Sequence, residues 1–121
     1  TFTKGFVLID EAYIDFSDEP SFIHELSNYP NLIVLQTLSK AYGLASLRLG
    51  MAYAHPTIIS ILNKIKPPYN IGGSTQKEVL FALKNKDFVN KSISEINIQK
   101  NKLISDLKFL EIINFFQMQK L

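Results

Sequence analysis

Residues 32–40 read LIVLQTLSK, and upstream of them residues 6–11 read FVLIDE. Each opens on a continuous apolar run, Leu32–Leu35 and Phe6–Ile9, of a length that suits a buried strand better than a helix. Each run then breaks into polar side chains, Gln36-Thr37 in one case and Asp10-Glu11 in the other. Strands of this kind, alternating with helical stretches downstream, predict an α/β layer fold with a mainly parallel sheet. In such sheets ligands sit beyond the carboxyl ends of the strands. Asp10 and the Thr37–Lys40 segment are therefore expected at a ligand site.

Working outward, Asp18-Glu19-Pro20 marks a turn, Ser21 can cap a short helix through Leu26, and Tyr29-Pro30-Asn31 marks a second turn. Leu49–Ala54 (LGMAYA) is a third strand candidate, closed by His55-Pro56. Pro56 suits the first turn of a helix over Thr57 to about Lys66, with Ile58, Ile61, Leu62 and Ile65 on one face. Pro67-Pro68 ends it. A further helix is expected from Ser74 or Thr75 through Lys84, apolar at Val79, Leu80 and Leu83. A long amphipathic helix follows over residues 87–110, with Ile93, Ile96, Ile98, Leu103, Ile104 and Leu107 as its apolar set. That helix has more apolar length than three strands can cover, so it is expected to leave the sheet. The boundary falls after residue 86, giving segments 1–86 and 87–121.

The composition excludes several function classes. Hydrophobic residues make up 46% and charged residues 20%, the balance of a folded globular chain. A formal net charge of +2 is small, and Lys84, Lys86, Lys91, Lys100 and Lys102 lie among Asp87, Glu95 and Asp106. This is a solvated mixed face and not a nucleic-acid stripe. With no cysteine, neither a disulfide framework nor a thiolate metal site can form, which fits a reducing cytoplasm. No apolar run approaches the roughly 18 residues of a membrane span, and no signal peptide is legible at the start. Both ends read as cut, with Thr1 first and FFQMQKL last. His24 and His55 lack ligand spacing, so no metal site is expected. No G-x-S-x-G elbow is present, and Gly72-Gly73 lacks the lysine of a phosphate loop. Phe115-Phe116 reads as core.

Taken singly, a strand-end Asp is usually a cap and a lone Lys is usually solvated. Taken together, the polar residues after the first two strands carry a definite chemistry. A pyridoxal phosphate site needs a lysine for a Schiff base and a carboxylate for the ring nitrogen. It also needs a hydroxyl near the ring oxygen, and hydroxyls with an arginine for the phosphate. Asp10, Tyr13, Thr37, Ser39, Lys40 and Arg48 supply each of these groups in two short stretches.

DEAYIDF (residues 10–16) followed by TLSKAYGLASLRLG (residues 37–50) closely resembles the fold-type I aminotransferases, and within them the histidinol-phosphate aminotransferase group. The frame S-K-x-x-x-L-x-x-x-R-x-G runs through Ser39, Lys40, Leu44, Arg48 and Gly50. YPNLIVLQTLSK and PPYNIGGSTQ resemble the same group, and the likeness extends to about Leu110. It implies a truncated large domain over residues 1–86, and over 87–121 a linker helix with the start of a small domain.

By that resemblance, Lys40 carries the cofactor and moves the proton, Asp10 faces the pyridinium nitrogen, and Tyr13 bonds the ring oxygen. Thr37, Ser39 and Arg48 bind the cofactor phosphate, and Glu11 and Ala12 position the loop. Tyr42 either faces the site or packs beneath it. The implied enzyme is a cytoplasmic homodimer that exchanges an amino group between L-histidinol phosphate and 2-oxoglutarate, giving imidazole acetol phosphate and L-glutamate in histidine biosynthesis. The 121 residues alone are expected to be inactive and, with sheet edges exposed, to self-associate. The competing expectations are a threonine-phosphate decarboxylase or aromatic aminotransferase, which share the cofactor residues, and a non-catalytic interaction module. A scaffold alone has no reason to keep both Asp10 and Lys40.

Overall fold

Among the described residues three strands form one sheet in the order β1-β2-β3, with β1 at Val7–Asp10, β2 at Leu32–Thr37 and β3 at Gly50–Ala54. The computed structural model describes residues 4–109. β1 and β2 are parallel, with Val7 opposite Leu32 and Asp10 opposite Leu35. The ladder is extended by Val7 N–H donating to the Asn31 carbonyl at 3.0 Å and Glu11 N–H to the Leu35 carbonyl at 2.8 Å. Between them, Ile14–Phe16 and Phe22–Glu25 form 3₁₀ turns, the second capped by Ser21 Oγ accepting from Ile23 N–H. The anticipated cap at Ser21 is thus present, on a helix shorter than expected.

β3 departs from the parallel expectation. It runs antiparallel to β2, with Leu35 opposite Ala52 and Thr37 opposite Gly50. Parallel strands need a crossover, usually helical, to return the chain. Residues 38–49 instead fold into tight turns with one 3₁₀ turn at Ala45–Leu47, so the chain doubles back beside β2.

Three helices follow among the described residues: α1 at Pro56–Ile65, α2 at Gly73–Lys84 and α3 at Lys86–Phe109. Pro56 occupies the first turn of α1 as its fixed φ allows, and His55 Nδ1 caps that helix by accepting from Thr57 N–H. α2 opens at Gly73 with Gly72 as N-cap, one residue earlier than Ser74. Leu32, Val34, Leu38, Ile58 and Val79 are buried, and α1 packs on β3.

The chain divides into two compact units, Thr1–Lys86 and Asp87–Leu121. In the second, α3 is a long helix in which Val89 is buried while Ile96, Ile98 and Leu103 are exposed. In α1 the expected apolar face is only partly covered, since Ile61 and Ile65 are exposed. Leu110, the expected end of the long helix, and Phe115-Phe116 lie outside the described residues.

Candidate active site

The pairing register sorts the side chains of the sheet onto two faces, because successive residues of a strand point to opposite sides. Asp10, Leu35, Thr37, Gly50 and Ala52 share one face; Glu11, Val34, Gln36, Met51 and Tyr53 share the other. On the first face, β3 contributes only Gly50 and Ala52 at this level, so nothing bulky from that strand stands over the carboxyl end of β2. The result is an open depression of about 370 Å³ lined by Asp10, Ala12, Leu35, Thr37, Gly50 and Ala52, together with Gln36 and Met51.

Asp10 ends β1 with its side chain exposed, and its Oδ1 accepts from Ala12 N–H at 3.0 Å, which orients the carboxylate. Tyr13 follows at the start of a 3₁₀ turn and is 62% exposed. Lys40 lies beyond β2 in a loop closed by two backbone bonds, Gly43 N–H to the Lys40 carbonyl and Leu44 N–H to the Leu38 carbonyl, each at 3.0 Å. Gly43 sits at φ 67°, a left-handed conformation that glycine takes without steric penalty. This loop brings Lys40 Nζ to 5.3 Å from the centre of the Tyr13 ring. At that distance an ammonium over a ring face is attracted by about 0.5–1 kcal/mol when exposed. The segments after β1 and β2 therefore meet, although Lys40 and Tyr13 do not line the depression that holds Asp10 and Thr37.

Thr37 and Ser39 form a hydroxyl pair with their oxygens 2.9 Å apart. Thr37 Oγ1 accepts from Ser39 N–H at 3.1 Å and lies 3.1 Å from the Leu49 carbonyl, which ties the Lys40 loop to the start of β3. Arg48 stands apart. Its Nη1 donates to the Ala45 carbonyl at 2.9 Å, and its backbone is left-handed at φ 51°, ψ 45°.

Glu11, which the resemblance gave only a part in positioning the loop, makes more bonds than that reading foresaw. It is buried (7% exposed) on the face opposite Asp10, and its carboxylate accepts from Ser21 Oγ at 2.7 Å, Phe22 N–H at 2.7 Å and Gln36 Nε2 at 2.9 Å. Burial alone pushes its pKa up, but the bonds from Gln36, Ser21 and Phe22, with the nearby His24, more than offset this and hold it below the usual glutamate range. The available signal was strand alternation. With Asp10 facing the ligand side, Glu11 had to face the apolar side with Ile9. Tyr42, left open by the sequence, is half-buried; burial raises its phenol pKa, and the charges of Asp15 and Tyr53 add to the rise. Among the described residues no three His, Cys, Asp or Glu side chains are grouped to hold a metal ion, and no helix is long and apolar enough to cross a membrane.

Known proteins resemble this chain in sequence and in fold. The sequence profile of the family described as aminotransferase class I and II matches residues 2–116. A histidinol-phosphate aminotransferase of Flavobacterium johnsoniae is 51% identical over 94% of this chain and 32% of its own length. One of Parabacteroides distasonis is 56% identical over 83% of this chain and 29% of its own length. Among solved structures, histidinol-phosphate aminotransferase from Sinorhizobium meliloti in complex with pyridoxal-5'-phosphate superposes with a TM-score of 0.73 at 27% identity, covering 81% of this chain and 27% of that one. The enzyme of the same name from Clostridium acetobutylicum gives a TM-score of 0.78 at 25% identity, over 87% of this chain and 32% of that one. The chain thus spans about a third of the length of the relatives it matches. With nearly the whole chain matched in sequence and most of it in fold, this chain belongs to the class I and II aminotransferase family.

Proposed function

We propose that this chain is the central part of a pyridoxal-phosphate-dependent aminotransferase acting on histidinol phosphate, and that Lys40 is the residue that holds the cofactor. The observation that carries the reading is the approach of Lys40 Nζ to within 5.3 Å of the Tyr13 ring centre, between the segments that follow Asp10 and Thr37 at the carboxyl ends of two parallel strands, in a chain of that family. Residues 1–86 form the later half of the cofactor domain, and residues 87–121 hold a linker helix and the start of a small domain; the division after Lys86 supports this reading.

The donor set fits the cofactor. Asp10 offers an exposed carboxylate at the edge of an open depression whose β3 side is small, which leaves room for a planar ring. The Thr37–Ser39 pair offers hydroxyls and Arg48 a guanidinium for a phosphate, and the bond from Arg48 Nη1 to the Ala45 carbonyl uses one of its five N–H donors. When bound, pyridoxal phosphate supplies a carbonyl that condenses with amines and a ring that withdraws electrons from the substrate carbon.

The chain's own residues do the rest. Asp10 keeps the proton on the ring nitrogen by placing a negative charge beside it. Tyr13 donates its hydroxyl proton to the ring oxygen. Lys40 Nζ would take a proton from the substrate α-carbon and return it to the cofactor carbon on the far side of the shared nitrogen, an exchange suited to an amine on a mobile stem. The substrate is a phosphorylated amine of the histidinol phosphate type, with 2-oxoglutarate as amino acceptor. The enzyme works as a cytoplasmic homodimer in which residues outside this chain complete the substrate pocket.

The test is the absorption spectrum of the complete enzyme with pyridoxal phosphate, beside Lys40→Ala. A Schiff-base band that survives desalting and is absent from the variant supports the reading. An equal band in Lys40→Ala contradicts it.

A further inference from the structure

Asp10 and Glu11 are neighbours in sequence on opposite faces of the sheet, and the buried one is Glu11. A buried carboxylate is costly unless its lone pairs are satisfied, and here they are. Gln36 uses its side-chain amide twice, donating to Glu11 Oε2 at 2.9 Å and to Ser21 Oγ at 3.3 Å. Ser21 donates its hydroxyl proton to the same Oε2, and Phe22 N–H donates to Oε1, both at 2.7 Å. The closed network joins the end of β1, the start of the Phe22–Glu25 turn and the end of β2. Its two strand members are each one residue from a site residue: Glu11 follows Asp10 and Gln36 precedes Thr37. A shift between the strand ends on the buried face therefore moves Asp10 relative to Thr37 on the open face.

We propose that Glu11 is a positioning residue: by clamping Gln36 and the Ser21–Phe22 turn, it fixes the spacing between Asp10 and Thr37 that a phosphorylated pyridine cofactor must span. This rests on the cofactor reading above. Hydrogen-bonded partners behind the ligands of bound metal ions typically contribute about 10–100-fold to affinity or activity, and by analogy a loss of that order is expected here.

The experiment measures pyridoxal phosphate affinity, and the pH at which the Lys40 Schiff-base band changes, in the complete enzyme. Its variants are Glu11→Gln, Gln36→Ala and the swap E11Q/Q36E, each checked for fold by circular dichroism. Glu11→Gln turns an amide toward groups that are themselves donors, whereas the swap restores a carboxylate–amide pair across the strands. We expect about tenfold or greater loss of affinity in both single variants, a displaced band titration, and recovery of most of the loss in the swap. A role confined to stability would leave the titration of the band in place. Should Glu11→Gln fail to fold, Gln36→Ala decides, since it leaves Glu11 with the Ser21 and Phe22 donors. Parent-like affinity and titration in a folded Gln36→Ala, or no recovery in the swap, overturns the proposal. A parent enzyme with no Lys40-dependent band overturns the cofactor reading and this inference with it; a parent with the band and unchanged variants overturns this inference alone.

Discussion

Arg48 adopts φ 51°, ψ 45° with a β-carbon present, a conformation that costs an L-residue about 1–2 kcal/mol. Gly43, five residues earlier, takes φ 67° without that penalty. Glycine at position 48 would relieve the strain but remove the guanidinium that the proposed function assigns to the cofactor phosphate. Arg48→Gly is expected to leave stability within about 1 kcal/mol of the parent, because the relief is offset by the greater freedom of glycine in the unfolded chain. Urea unfolding checks this. Cofactor affinity should fall about tenfold or more in the same variant, the measure of a charge-assisted bond of about 1.5–3 kcal/mol. Arg48→Lys should fall in between, keeping the charge and losing the paired donors.

At the scale of elements, the segment after β1 is held by Glu11, and its stability depends on pH through that residue. The folded-state pKa of Glu11 lies below its ordinary value, so folding favours the ionised form. That contribution is fully present above the unfolded-state pKa and is lost as pH falls through the folded-state pKa. Glu11→Gln should therefore flatten the acid side of the stability curve measured by urea unfolding between neutral pH and about pH 3. Groups facing Glu11 are Ser21, the Phe22 amide and Gln36, with His24 near enough to add a favourable charge. Leu32 is 4% exposed in the central strand, and Leu32→Ala should cost about 2–5 kcal/mol in the same assay. The elements themselves were largely legible: apolar runs mark β1 and β2, and the Pro56 and Pro67-Pro68 signals bracket α1. The direction of β3 was not, because apolar runs carry no sign of strand polarity; only the tight winding of residues 38–49 sets it. The polar types of the site were legible from their place after buried strands. The clamp at Glu11 was not, since Ser21 and Gln36 are 10 and 25 residues away and only the fold brings them together.

At the scale of the whole chain, large apolar side chains remain uncovered, among them Leu8 in β1, Ile65 in α1 and Phe81 in α2, with Phe88 in α3 of the second unit. β1 and β3 each have one unpaired edge within the described sheet. Exposed edges and apolar patches pair with other chains, so these 121 residues by themselves should scatter light as an oligomer at high concentration. A stable monomer there would contradict the expectation. The central claim concerns one amine among many. Borohydride reduction of the complete enzyme with pyridoxal phosphate, followed by peptide mass mapping, reads it directly. The account predicts the reduced cofactor on the peptide containing Lys40, with surface lysines such as Lys64 and Lys66 unmodified. Label spread over those surface lysines with Lys40 unmodified would contradict it.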